Sequence, residues 1–298
     1  MNCFCTISDY YYLPMGISMI DSIRKHTKNE FVVYYLCLDD ATFEKLTNLR
    51  LTNITPVSLK HLIETYDDLK TYKSKEYREF VWMLSSYFSD YIMSLQEHSH
   101  VTYVDSDILF YDSVDLFYDE IGNKSVGIIK HRQIPDTAWS ADGKYNVGVV
   151  YFKNDTIGRR CLSWWKDAVL HKKYPQLATC YDQKYLEGFL MMYTENEICV
   201  VDTTFAHSAP WHFRLFDWSS YHIDQTIKWQ GKSQKLLFNH FSRFKYTDKG
   251  YTPTNGEYAD HTLNFSVFKI PVIEQMYDDY FRMIQTTITN HTLQKDTQ

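Results

Sequence analysis

The stretch Val101-Thr-Tyr-Val-Asp105-Ser-Asp107-Ile-Leu-Phe110 carries the densest chemical signal in the chain. Strand-forming residues run into two carboxylates one residue apart, and an apolar run resumes behind them. Ligands of α/β sheets collect at the carboxyl ends of strands, so a strand that stops on Asp-x-Asp delivers two hard oxygen donors to that edge. Such donors suit Mg²⁺ or Mn²⁺, and such an ion suits a diphosphate. The competing reading is an acidic turn, because Asp and Ser both favour turns. The apolar segments on either side and the polar motifs downstream favour the metal.

Other residues fit a phosphorylated ligand. Ser8-Asp-Tyr-Tyr-Tyr-Leu-Pro14 follows a short apolar strand, and there Asp9 with Tyr10 or Tyr11 suits a base and a ribose. Equally, the three tyrosines read as a cover over the sheet. Lys75 and Arg78 open a helix, the end where its dipole disfavours cations. They face a diphosphate or are solvated surface charges. Asn146-Val-Gly148-Val places a glycine inside a strand, which often marks close approach of a ligand or backbone. No G-x-G-x-x-G and no Walker A sequence is present, so the dinucleotide and P-loop fingerprints are missing.

The elements that must position these residues alternate between strand and helix. Asn2 to Ile7 reads as a strand, and Leu13, Ile17, Ile20 and Ile23 recur at helical spacing with Pro14 in the first turn. Strand 31–38, helix 41–49 and a brief or edge strand 54–57 follow, the last limited by Thr55 and Pro56. Helical character resumes over 61–66. Tyr77, Phe80, Val81, Leu84, Phe88, Tyr91, Ile92 and Leu95 mark a long amphipathic helix that feeds the Asp105 strand. Strands 125–130 and 145–152, helix 156–171, a helix start at Asp182, strand 197–201 and strand 236–239 complete the main body. Residues 246–262 are polar and turn-rich, and 265–288 is apolar enough for a closing helix, broken near Pro271. The pattern is α/β.

Composition narrows the class. The 298 residues suit one large domain or two small ones, and an apolar fraction of 44% can bury a substantial core. The net charge of −6 argues against a nucleic-acid partner and gives no pull toward anionic lipid. The six cysteines show no C-x-x-C pairing, which indicates buried thiols in a reducing compartment. With no signal-peptide pattern and no apolar run long enough to span a bilayer, the expectation is a cytoplasmic protein without a transmembrane segment. A nucleotidyltransferase would open with a Gly-rich, Arg-containing loop, and a haloacid-dehalogenase-type phosphatase would carry Asp-x-Asp on its first strand. Neither pattern is found.

In chain order, Tyr103-Val-Asp105-Ser-Asp107, Tyr145-Asn146-Val-Gly148-Val, Asp182-Gln183-Lys-Tyr-Leu and Asn239-His240-Phe resemble the motif series of GT-A-fold glycosyltransferases, family 8 type, over roughly residues 1–245. The resemblance implies a Rossmann-like mixed sheet flanked by helices, residues 1–245, with a C-terminal helical extension, residues 246–298, on the same domain. It implies a transferase that moves a sugar from a nucleotide-diphosphate sugar, a UDP-sugar first, to a glycan or lipid-linked acceptor, retaining the anomeric configuration. Asp105, Asp107 and His240 would hold Mn²⁺ (or Mg²⁺). Thr6, Asp9, Tyr11, Arg78, Ser106, Asn146, Trp211 and Lys245, with Asp105, would line the donor, and Asp182 and Gln183 would serve the reacting centre. Trp211 and His212 offer an acceptor platform or ordinary packing. Where the family follows its histidine with a glycine and a lysine, this chain has Arg243 and Lys245. The alternative is a catalytically silent glycan- or nucleotide-binding module on the same fold. The sequence sets no oligomeric state.

Overall fold

A computed structural model of the chain describes residues 1–72, 77–132, 142–201, 205–211, 213–254 and 265–293. The chain divides into two compact units. The first comprises Met1–Tyr11, Asn29–Asp105 and Asp119–Asp202; the second comprises Tyr12–Lys28, Ser106–Tyr118 and Thr203–Gln298.

The first unit is built on β1 (Asn2–Ser8), which follows the apolar run of the sequence and has six buried residues in seven. Strands buried on both faces read as continuous apolar runs, and β2 (Phe31–Cys37) is another. Beyond β2 comes α2 (Asp40–Leu49), then β3 (Ile54–Ser58), α3 (Leu59–Thr65), α4 (Asp67–Thr71), α5 (Tyr77–Ser94) and β4 (His100–Val104). After β5 (Ile108–Phe110) and α6 (Asp115–Ile121) the chain returns through β6 (Val126–Lys130), β7 (Tyr145–Lys153), α7 (Thr156–Leu170), α8 (Glu187–Met192) and β8 (Ile198–Val201). The seven-stranded sheet has the order β3-β2-β1-β4-β7-β6-β8. β1 pairs in parallel with β2 and β4, while β7 runs antiparallel to β4 and β6. β3 is an edge strand, as Pro56 with its missing N–H requires.

Helix α5 buries Leu84, Phe88 and Ile92 of the spacing read from the sequence, together with Met83 and Tyr87, and packs on β1, β4 and α7, while Tyr77 of that spacing is exposed. Asp155 caps α7 by accepting from the N–H groups of Ile157 and Gly158. Gly158 allows a very close crossing here, since a Cβ would stand 2.1 Å from the Lys153 carbonyl oxygen. All six cysteines are free thiols, and all but Cys180 are buried.

The second unit contains α1 (Leu13–His26) and β5 with β9 (Ala206–Ser208), α9 (Tyr221–Asp224), β10 (Thr226–Trp229) and β11 (Lys232–His240). β11 pairs antiparallel with β10 and β5, and parallel with β9. The hairpin of β12 (Lys245–Thr247) and β13 (Gly250–Thr252) precedes α10 (Pro271–His291). Pro271 opens α10 after a 3₁₀ turn at Phe265–Lys269, so the interruption expected at this proline is a helix start. The core is aromatic: Phe241 stacks on Tyr280 at 3.8 Å, and Phe244 and Phe213 pack on Tyr277. Ser18 Oγ of α1 meets Thr287 Oγ1 of α10 at 3.0 Å. Among the described residues no helix is long and apolar enough to cross a membrane.

Candidate active site

In the first unit, the loop after β1 is held by Asp39, which the sequence reading passed over. One carboxylate oxygen accepts from the Tyr10 N–H at 2.9 Å, and the other caps α2 by accepting from the Thr42 N–H at 2.7 Å. Asp9 and Tyr11 are half-buried in that loop. The phenol of Tyr77 is pushed up by partial burial and then by the charges of Asp9 and Asp39. Arg78 is exposed in the first turn of α5, and Lys75 lies outside the described residues. Thr6 is fully buried, and its Oγ1 has no hydrogen-bond partner among the described residues.

Asp105 is fixed twice. Its N–H donates to the Gly148 carbonyl at 2.9 Å, one rung beyond the β4–β7 ladder. Its Oδ1 accepts from the Tyr103 hydroxyl at 2.8 Å. Residues i and i+2 of a strand share a face, so this pair was legible as a spacing. Burial, followed by the Asp105 charge, holds the Tyr103 phenol far above its ordinary range, which keeps the proton on the donor. Asn146, at the second position of β7, donates from Nδ2 to Gln183 Oε1 at 2.8 Å and accepts from the Gly148 N–H at 2.9 Å. Gln183 Nε2 donates to the Asp142 carbonyl at 2.7 Å. The amide of Gln183 is thereby locked in one orientation.

Asp182 occupies the N-cap position of the 3₁₀ turn Gln183–Leu186, yet its side chain makes no capping bond. It reaches Ser85 of α5, whose Oγ lies 2.8 Å from both Asp182 Oδ2 and the Trp82 carbonyl. One hydroxyl proton serves one of these acceptors at a time; a protonated Asp182 donates to Ser85 Oγ and satisfies both contacts. Consistent with this, burial raises the Asp182 carboxyl to about 7, the Ser85 hydrogen bond opposes the rise, and the charge of Asp105 adds to it. Trp165 Nε1 donates to the Asp182 carbonyl at 3.0 Å. Ser85 was missed because nothing local in the sequence links it to a residue 97 positions away.

The raised carboxyl has a stability consequence. Its folded pKa of about 7 lies above the ordinary 3.8, so its contribution is complete below the unfolded value and is lost as pH rises through about 7. Between these pH values, in metal-free buffer, the wild type is expected to lose at least ~1 kcal/mol relative to Asp182→Asn. Urea unfolding of both proteins at pH 4.5 and 7.5 measures the difference, and parallel shifts would refute it.

In the second unit, the antiparallel register sets Ile108 opposite His240 at the end of β11. The Phe241 N–H donates to the Asp107 carbonyl at 2.8 Å and extends that pairing. His240 Nε2 then lies 3.1 Å from Asp107 Oδ1, with both residues buried. The edge of Trp211 packs on the His240 ring, with centroids 5.7 Å apart; His212 lies outside the described residues. Ser106 is buried. Lys245 is exposed, and its Nζ sits 5.7 Å from the Tyr12 ring centroid. Within this unit Asp107 and His240 bring a carboxylate and an imidazole together, both with donor atoms for a metal ion. An imidazole beside a carboxylate fits Mn²⁺ better than Mg²⁺, which prefers oxygen alone.

No protein-family model matches the sequence. The chain is 25% identical over 259 residues to the uncharacterized protein YfnF of Bacillus subtilis (strain 168), spanning 82% of each. It is 24% identical over 252 residues to the uncharacterized protein YfnD of the same strain, spanning 81% of this chain and 77% of that protein. Among solved structures, the galactosyltransferase LgtC in complex with donor and acceptor sugar analogues aligns at a TM-score of 0.56 and 17% identity, covering 80% of this chain and 86% of that one. The bifunctional glycosyltransferase WbbM aligns at 0.57 and 15% identity, over 95% of this chain and 49% of that one. Mouse xyloside xylosyltransferase 1 aligns at 0.50 and 13% identity, over 80% and 97%. With its seven-stranded mixed sheet and flanking helices, the chain has the GT-A fold of glycosyltransferases.

Proposed function

We propose that this protein transfers a sugar from a nucleotide-diphosphate sugar, UDP-linked, to a hydroxyl of a glycan or lipid-linked acceptor. The observation that carries the reading is the meeting of Asp107 and His240 at 3.1 Å two residues beyond Asp105, on a fold shared with sugar transferases. Asp105, Asp107 and His240 hold Mn²⁺ (or Mg²⁺), which when bound supplies Lewis acidity to the departing diphosphate. Tyr103 orients Asp105. Asp9 and Tyr11 take the nucleoside, and Thr6 and Ser106 also serve the donor. Arg78 and Lys245 add positive charge for the phosphates, and Trp211 braces His240 or meets the acceptor. Residues 246–298 belong to the same domain. Buried free thiols support a cytoplasmic location.

In the reaction the bond from sugar C1 to the phosphate oxygen breaks and a bond from C1 to the acceptor oxygen forms. The acceptor proton leaves on the released diphosphate. Attack from the face of the leaving group retains the anomeric configuration. Asn146 and Gln183 present fixed amide dipoles to the cationic sugar, and Asp182 orients that end of the site.

Incubation with a panel of nucleotide sugars and Mn²⁺ is expected to release nucleoside diphosphate, and EDTA to abolish the release. Binding of nucleotide without any breakdown would favour the silent module instead. Gln183→Ala is expected to lower kcat by about tenfold or more with donor affinity changed less. NMR of the product's anomeric proton, with a donor of known configuration, reads the stereochemistry; an inverted product would overturn the retaining assignment.

A further inference from the structure

The residue that leads into Asp182 is strained. Tyr181 has φ 43° and ψ −116°, a combination nearly closed to L side chains, which costs on the order of 1–3 kcal/mol and persists at ligand clamps and active sites. A glycine would adopt it without penalty. The chain instead keeps a tyrosine there, and that ring lies against Trp82 of α5, with centroids 4.2 Å apart and planes at 57°. Trp82 retains 36% of its surface exposed and Tyr181 37%, while nearby Tyr185 and Phe189 are buried. Trp82 is also tied to the reacting end of the site, because its carbonyl shares the Ser85 hydroxyl with Asp182.

Beside the Tyr181 ring, Lys172 Nζ lies 2.9 Å from Glu79 Oε1, and Glu79, Met83, Lys172, Tyr181 and Tyr185 line a small cleft. An open aromatic face bordered by a carboxylate and an ammonium complements a pyranose. The C–H face of the sugar lies on the ring, whose π-face is negative, and the ring hydroxyls donate to Glu79 and accept from Lys172.

We propose that Trp82 and Tyr181 form a carbohydrate platform that stacks the acceptor sugar next to Asp182 and Gln183. Its assignment to the acceptor rests on the sugar-transferase reading; its affinity for a pyranose does not. The strain at Tyr181 is retained because the conformation that presents the ring also delivers Asp182 to Ser85 and Gln183 to Asn146.

Saturation-transfer NMR tests this on the full chain, irradiating protein aromatic protons in the presence of methyl β-D-galactopyranoside, methyl β-D-glucopyranoside or methyl α-D-mannopyranoside. Transfer to the ring C–H protons of at least one sugar is expected. It should fall about tenfold in Trp82→Ala and Tyr181→Gly and survive in Trp82→Phe, which keeps an aromatic face. Tyr181→Gly is expected to melt at or above the wild-type temperature, separating loss of the ring from loss of the fold. No transfer to any of the three sugars, or undiminished transfer in both Trp82→Ala and Tyr181→Gly, would overturn the platform. Calorimetry with UDP and Mn²⁺ on the same samples keeps the two readings apart. If the glycosides bind and UDP does not, the transferase reading falls and the platform stands. If UDP binds and the glycosides do not, the platform alone falls.

Discussion

Asp107→Asn is expected to lower sugar transfer by about 10²–10³-fold, the scale on which loss of one preorganised electrostatic contact reduces turnover. The substitution removes a charge and keeps the shape. The Asp107 backbone carbonyl still accepts from the Phe241 N–H, and the β5–β11 register does not depend on the side chain. Fold and function should therefore part company in this variant. A second readout needs no donor or acceptor. An ion bound to the folded state alone, at a hundred times its Kd, stabilises the wild type by about 2.7 kcal/mol. The rise in melting temperature with Mn²⁺ should shrink in Asp107→Asn and likewise in His240→Ala, whose imidazole lies 3.1 Å from the same carboxylate. Full activity in EDTA, or an undiminished Mn²⁺ effect in both variants, would remove the metal from the mechanism.

Trp165→Ala is expected to destabilise the protein by ~3–5 kcal/mol, the range for emptying a large aromatic site in a core. Trp165 is 0% exposed, stacked on Phe152 at 5.9 Å and met by the edge of Phe189 at 6.3 Å. Its indole also donates to the Asp182 carbonyl, so this one residue both fills the core and anchors the Asp182 segment. Trp165→Phe separates the roles. It keeps most of the packing and gives up the hydrogen bond, for about 1–2 kcal/mol. Because the freed segment carries Asp182 and Gln183, kcat should drop in the Phe variant more than global stability explains. Urea midpoints measure the first effect and steady-state kinetics the second. A loss below 1 kcal/mol for the alanine variant would mean that the core closes over the gap.

The elements most legible in the sequence were those with long, regular patterns. The apolar runs of β1 and β2 state their burial outright, and the 3-and-4 spacing of α5 gives the helix and its buried centre at Leu84, Phe88 and Ile92. The Asp-x-Asp placement was legible for the same reason, because β4 runs as a continuous buried strand straight into it. The short strands of the second unit were not. β5, β9 and β10 have three or four residues each, too few for a period to show, and they exist because β11 offers partners. The same distinction holds at the site. The Asn146–Gln183 contact links two stretches that the sequence had already singled out. Ser85, Asp39 and the Trp82–Tyr181 pair are ordinary residues locally and gain a role only from long-range packing. At Asp182 the sequence marks a helix start, and the structure adds what no local pattern shows: the side chain makes no capping bond and is buried against Ser85.

The second unit is assembled from three separate stretches, 12–28, 106–118 and 203–298. During synthesis this makes it a late structure. Helix α1 and strand β5 leave the ribosome early, but β11 and α10, their partners, follow more than a hundred residues later; the Ser18–Thr287 contact spans 269 positions. Such distant closures are slow and leave apolar surface waiting. The sheet of the first unit, by contrast, has all its strands once Val201 has emerged. A growing chain thus displays Asp105 and Asp107 long before His240 exists, and the apolar faces of α1 and β5 are the surfaces on which a chaperone would act in that interval.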